Sequence, residues 1–179
     1  FYLKETNTAG PADSTFVFGT AGSGMKPIVG NWDGLGAGLK AAEGPAASTV
    51  AAALTQAELQ PIVDEAIARW SAAGLDAATL AKLEKVRVVI DDLPDAYLGT
   101  ALTDQITLDR DAAGYGWFVD STPAEDEEFV MSADGRQGQA MNPLAVDGID
   151  LLTVVEHELG HIAGLDDLDV LADNLMTGS

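Results

Sequence analysis

Between residues 59 and 70 the apolar side chains Leu59, Ile62, Val63, Ala66, Ile67 and Trp70 recur every three or four positions, the spacing of one helix face. Thr55-Gln56-Ala57-Glu58 reads as a capping box in front of this run, and Gly74 as its stop, so a long helix is predicted between them. A shorter helix is predicted over residues 76 to 85. It leads into Val86-Arg87-Val88-Val89-Ile90-Asp91, a β-branched run expected to form a buried strand. Further strands are expected at residues 98 to 101, 105 to 109 and 114 to 120. Leu151, Leu152, Val155, Leu159 and Ile162 return to helical spacing and predict a second long helix from Asp147 or Gly148 through Ile162.

Ahead of these elements the pattern is different. Residues 1–44 hold short β-type runs, Thr15-Phe16-Val17-Phe18 and Ile28-Val29, punctuated by Gly and Pro, and predict a small β-hairpin segment. Residues 45–54 are Ala-rich and read as a linker, which leaves 55–179 as the main domain. The fold class expected is α+β: a twisted mixed sheet with a long N-terminal helix, a second long helix near the C-terminal end, and a small β-rich N-terminal segment.

With 179 residues, 47% of them hydrophobic, the chain can bury one good core. A net charge of −20 argues against nucleic acid or an anionic membrane surface as partner and favours bound cations. The sequence contains no cysteine, so neither a disulfide nor a thiolate latch on a metal is available. No run of eighteen apolar residues occurs, so no membrane insertion is expected. Phe1-Tyr2-Leu3-Lys4-Glu5 is too polar for a signal peptide, and any export signal is expected outside this sequence.

The chemistry concentrates at His157-Glu158-Leu159-Gly160-His161, which holds both histidines of the chain. Positions i and i+4 lie on one helix face, so His157 and His161 can aim both imidazoles at one ion. Glu158, one step round, can reach a water on that ion as general base. Two histidines leave a tetrahedral site incomplete. Gly164 can take the left-handed conformation that ends a helix and swings the following chain back under the metal. No glutamate follows Glu158, so a third ligand from this side is expected to be Asp167, with Asp166 and Asp169 also in reach.

The pattern HExxHxxGxxD followed by Asn174-Leu175-Met176 resembles the metzincin clan of zinc endopeptidases. The resemblance implies zinc bound by His157, His161 and Asp167, with Glu158 as catalytic base and Met176 in a tight turn under the metal. No tyrosine stands just after Met176, so a bacterial matrixin-like branch fits better than the astacin or serralysin branches. In such a domain a sheet edge borders the cleft and takes the polypeptide substrate by strand addition, a place expected for Trp117, Phe118 and Val119. Trp117 read alone is a core aromatic.

Matrixin-like proteins also hold calcium in loops. Here the acidic clusters Asp91-Asp92-Asp95, Asp109-Asp111, Asp120 and Glu125-Asp126-Glu127-Glu128 make calcium a second expected ion, although such runs otherwise form a solvated face. The pieces Phe16-Val17-Phe18-Gly19 and Asn31-Trp32-Asp33-Gly34 resemble one unit of the FG/DWDG-type repeats of large bacterial surface and secreted proteins, which places the chain outside the cell. Leu35 replaces the second acidic position, so calcium is not expected there. A single unit cannot bury its own apolar face and should pack on the following domain or on a neighbour. Another reading makes the segment inhibitory, with Asp33 offered to the metal. The expected function is zinc-dependent hydrolysis of peptide bonds. The alternatives are a non-catalytic cation-binding or adhesive module of a large extracellular protein, and a protease domain that processes only its own precursor.

Overall fold

A computed structural model describes residues 38–41, 44–47, 51–125, 141, 145–146 and 148–165, together with the backbone of short strands elsewhere. Asp33, Asp166, Asp167, Asp169, Asn174, Leu175, Met176 and residues 126–128 lie outside the described residues, and with them the calls made on those positions. The described chain is a small mixed α+β fold. Its helices are α1 (Gln56–Ala72), α2 (Ala77–Leu83) and α3 (Leu151–Ala163).

Its strands begin with β1 (Tyr2–Leu3), β2 (Ser14–Thr15), β3 (Val17–Phe18), β4 (Ile28–Val29) and β5 (Lys40–Ala41). After the first two helices come β6 (Arg87–Asp91), β7 (Gly99–Leu102), β8 (Gln105–Asp109) and β9 (Trp117–Phe118). Then follow β10 (Phe129–Met131), β11 (Gln137–Ala140) and β12 (Ile149–Asp150). Among the described residues no helix is long and apolar enough to cross a membrane.

The predicted long helix is α1. Thr55 caps it with both halves of the box in place: Glu58 N–H donates to Thr55 Oγ1 at 3.3 Å, and Thr55 N–H donates to Glu58 Oε2 at 2.9 Å. Leu59, Ile62, Val63 and Ala66 are buried along one face, and the chain leaves the helix through Gly74 at φ +93. Asp76 caps α2 by accepting from Ala78 and Thr79 N–H. α1 and α3 pack face to face. Trp70 indole N–H donates to the Glu156 carbonyl at 3.1 Å, and a Cβ on Gly160 would meet the Trp70 ring at 3.3 Å, so a small residue at 160 lets the two helices approach.

The central sheet runs β6-β8-β7, with β6 parallel and β7 antiparallel to β8. β7 stands at one edge and lies against α3. Ile106 and Leu108 of β8 are fully buried and join Leu59, Ile62, Leu83, Leu98, Val154, Val155 and Leu159 in one core.

The C-terminal helix starts later than its hydrophobic pattern predicts. Ile149 and Asp150 pair in parallel with Trp117 and Phe118, which holds them extended, and Asp150 then caps α3 by accepting from Thr153 N–H at 3.1 Å. The residues expected at the cleft edge lie in and beside that pair. Trp117 and Phe118 belong to the β9–β12 pair, Phe118 is buried, and Trp117 indole N–H donates to the Asp109 carbonyl at 2.8 Å, while Val119 packs half-buried on the core. The strand that lies along α3 is β7.

Contacts cross the expected boundary at residue 45. β3 pairs with β11, and residues 38–41 lie on the main domain with Leu39 and Ala41 in its core. Ala46 N–H donates to the Ala113 carbonyl and Leu54 N–H to the Arg110 carbonyl, so the linker is tied down at both ends. Burial of an aliphatic side chain such as Leu39 contributes on the order of 2 kcal/mol.

Candidate metal centre

α3 carries the candidate chemistry on its last two turns. Its Leu151, Val154, Val155 and Leu159 are fixed in the core, Glu158 faces the start of β7, and His157 and His161 are only partly buried. His157 and His161 stack one above the other, their rings at 89° with centroids 4.6 Å apart. Their Nε2 atoms face each other at 3.0 Å. The Nδ1 of His161 lies 3.0 Å from the Leu165 carbonyl, which suits an Nδ1–H donor and leaves Nε2 as a lone-pair acceptor. That carbonyl is in place because Gly164 ends the helix in the left-handed region, φ 89 and ψ 21, with Leu165 N–H returned to the Gly160 carbonyl at 2.9 Å.

The separation of the two imidazole nitrogens is close to that of a pair sharing one zinc ion. Two Zn–N bonds of about 2.0–2.1 Å at a tetrahedral angle set the nitrogens about 3.3 Å apart, a few tenths of an ångström wider than the observed pair. A small change in either imidazole torsion supplies that difference. Burial, and secondarily the neighbouring His161, lower the His157 pKa from 6.5 to about 4, so this imidazole is neutral at physiological pH, the form a metal requires. Among the described residues no group of three His, Cys, Asp or Glu side chains gathers at one point. Asp167, the expected third ligand, and Met176, the expected turn methionine, lie outside the described residues.

Glu158 is the one acidic side chain of the chain's described core with no exposed surface at all. It points from α3 to the start of β7. A Cβ on Gly99 would come 3.0 Å from Glu158 Cγ and 3.1 Å from Oε1, so glycine at 99 lets the carboxylate lie close beneath the strand and a larger residue would require it to shift. Glu158 Oε1 accepts from Leu39 N–H at 3.1 Å. Sequence reasoning identified the two histidines and the glutamate but missed Gly38, Leu39 and Gly99. The signal available for Gly99 was a glycine inside a strand pattern, which marks close approach of another group.

The acidic clusters considered for calcium are built differently. Asp109 is buried and its carboxylate accepts backbone N–H groups from Leu93, Asp111 and Ala113, so it organises a loop in which Ala112 and Ala113 are held at positive φ. Asp120 accepts from Thr122 N–H at 2.8 Å in the same manner. Asp91, Asp92 and Asp95 are exposed, with Arg110 3.6 Å from Asp92.

Comparison with protein-family models gives no match, and neither the curated proteins nor the solved structures contain a significant one.

Proposed function

We propose that this chain is a zinc-dependent endopeptidase of the metzincin, matrixin-like kind, acting on extended polypeptide outside the cell. The observation that carries the reading is the convergence of two imidazole Nε2 atoms one helical turn apart, with the buried Glu158 between them in sequence and an edge strand alongside. His157, His161 and Asp167 would hold the ion, and Met176 would lie below it. Bound zinc supplies Lewis acidity, acidifying a water and polarising the scissile carbonyl.

The remaining chemistry belongs to the protein. Glu158 takes a proton from the water as its oxygen adds to the carbonyl carbon, and returns that proton to the departing nitrogen as the C–N bond breaks. One water is consumed, and one carboxyl and one amine are formed. The enclosed position of Glu158 between α3 and β7 keeps that proton from bulk solvent. The backbone of β7 gives the substrate a ladder to pair with, so recognition rests on main-chain groups and is tolerant of sequence. Calcium, if used, is expected at the exposed carboxylates of residues 91–95 rather than at Asp109.

The test is cleavage of an unfolded protein by the chain loaded with zinc, with and without chelator, beside Glu158→Gln. The amide oxygen can still accept from Leu39 N–H, so the variant is expected to fold and bind zinc while losing about 10²–10⁴ in rate. One zinc per chain with no cleavage, in the parent and in the loosened variants described below, would replace this reading by a non-catalytic cation-binding module.

A further inference from the structure

Residues 38–41 run antiparallel to residues 96–98, which lead directly into β7. Leu98 N–H donates to the Leu39 carbonyl at 2.7 Å, Ala41 N–H donates to the Ala96 carbonyl at 2.9 Å, and Lys40 and Tyr97 form the bridge pair between them. The Lys40 ammonium lies 3.9 Å from the centre of the Tyr97 ring. This stretch therefore lies in antiparallel contact with the segment that enters the edge strand β7, on the side of α3.

Its contact with the edge is unusually close. A Cβ on Gly38 would fall 1.7 Å from the Gly99 carbonyl oxygen and 2.6 Å from Thr100 Cγ2, so no other residue fits. Leu98 turns its carbonyl away to accept from Asp109 N–H, and the next ladder partner for Leu39 N–H is therefore Glu158 Oε1 instead of backbone. Leu39 is 4% and Ala41 5% exposed, so both side chains are seated.

The edge and the carboxylate occupied here are the two features that strand-wise peptide binding and water activation need. We propose that residues 38–41 form a built-in pseudosubstrate: Gly38-Leu39-Lys40-Ala41 fills the peptide groove of the intact chain, with Leu39 N–H holding the Glu158 carboxylate. This rests on the endopeptidase reading. It further assigns the substrate class as extended peptides with a large aliphatic residue in the Leu39 seat and a small residue before it. Displacement of the segment by a competing strand, or by cleavage ahead of it, opens the groove.

The experiment compares the zinc-loaded full chain with Gly38→Val, whose side chain has no room against Gly99, and with Leu39→Asp, which places a carboxylate beside Glu158. Three readouts are taken: amide exchange, binding of a labelled peptide with the sequence of residues 36–43, and cleavage of an unfolded protein. In both variants the Leu98 amide is expected to exchange on the order of a hundredfold faster, as follows from losing two ladder bonds, while Ile106 and Leu108 amides stay protected. The labelled peptide is expected to bind the variants and not the parent, and cleavage to rise by a similar factor and be inhibited by the peptide.

An exposed Leu98 amide with β8 protected and no peptide binding overturns the proposal. So does loss of β8 protection in both variants, because the segment would then be an integral strand of the fold. Peptide binding without cleavage supports the occupied groove and removes the endopeptidase reading alone.

Discussion

At His157 burial does two things at once. It keeps the imidazole neutral, the form able to ligate a metal, and it makes the fold sensitive to acid. The folded pKa of about 4 lies below the ordinary 6.5, so between those values the unfolded chain binds a proton that the folded chain refuses. Stability from this group is complete above pH 6.5 and is lost as the pH falls toward 4. For the metal-free chain the loss between pH 7.5 and 4.5 is expected to be about 2.5 kcal/mol. Urea unfolding of the parent and of His157→Gln at both pH values checks this, because general charge effects are shared and the difference isolates the histidine. A pH-independent difference between them would contradict the burial argument.

At the level of elements, helix ends position the centre. Thr55 closes α1 by the reciprocal bonds with Glu58, and its hydroxyl, which donates to Glu58 Oε2 at 2.7 Å, together with its N–H holds the Glu58 pKa below its ordinary value. Thr55→Ala is expected to destabilise the chain by about 1 kcal/mol in thermal or urea unfolding, with zinc binding unchanged, since the cap lies far along the sequence from α3. Gly164 ends α3 at positive φ, and a Cβ there would meet nothing within 4 Å, so the effect of Gly164→Ala is purely one of backbone. It should cost about 1–2 kcal/mol in the left-handed region. Because the turn also sets the Leu165 carbonyl against His161, zinc affinity measured by calorimetry is expected to fall with it. Unchanged affinity would show that the turn does not shape the centre.

The molecule as a whole carries 29 acidic against 9 Lys and Arg side chains, and the exposed ion pairs it does form, such as Arg110 with Asp92, are weak. Self-repulsion at a net charge of −20 works against the compact state and is screened by salt. Raising sodium chloride from low concentration to about 0.5 M, where the screening length is only a few ångströms, is therefore expected to raise the melting temperature by about 2–4 °C, close to 1 kcal/mol. A melting temperature that fell with salt would mean that attractive pairs, rather than repulsion, dominate the electrostatics.

A large part of this structure is set by local chemistry. The helix α1 with its cap, the strand β8, and the pairing of His157 with His161 follow from spacing along one chain segment, because periodicity and capping act over a few residues. The left-handed end of α3 at Gly164 was legible for the same reason. The late start of α3 was not, since it depends on Ile149 and Asp150 pairing with a strand some thirty residues earlier. Nor was it legible that β7 is the strand lying along α3. Above all, no pattern in residues 38–41 signals that they lie on that edge, or that the Leu39 amide meets the Glu158 carboxylate 119 positions away. Pairing of sheet edges is a matter of which distant backbone groups lack partners once the core has formed, and that becomes defined only when the whole chain has packed.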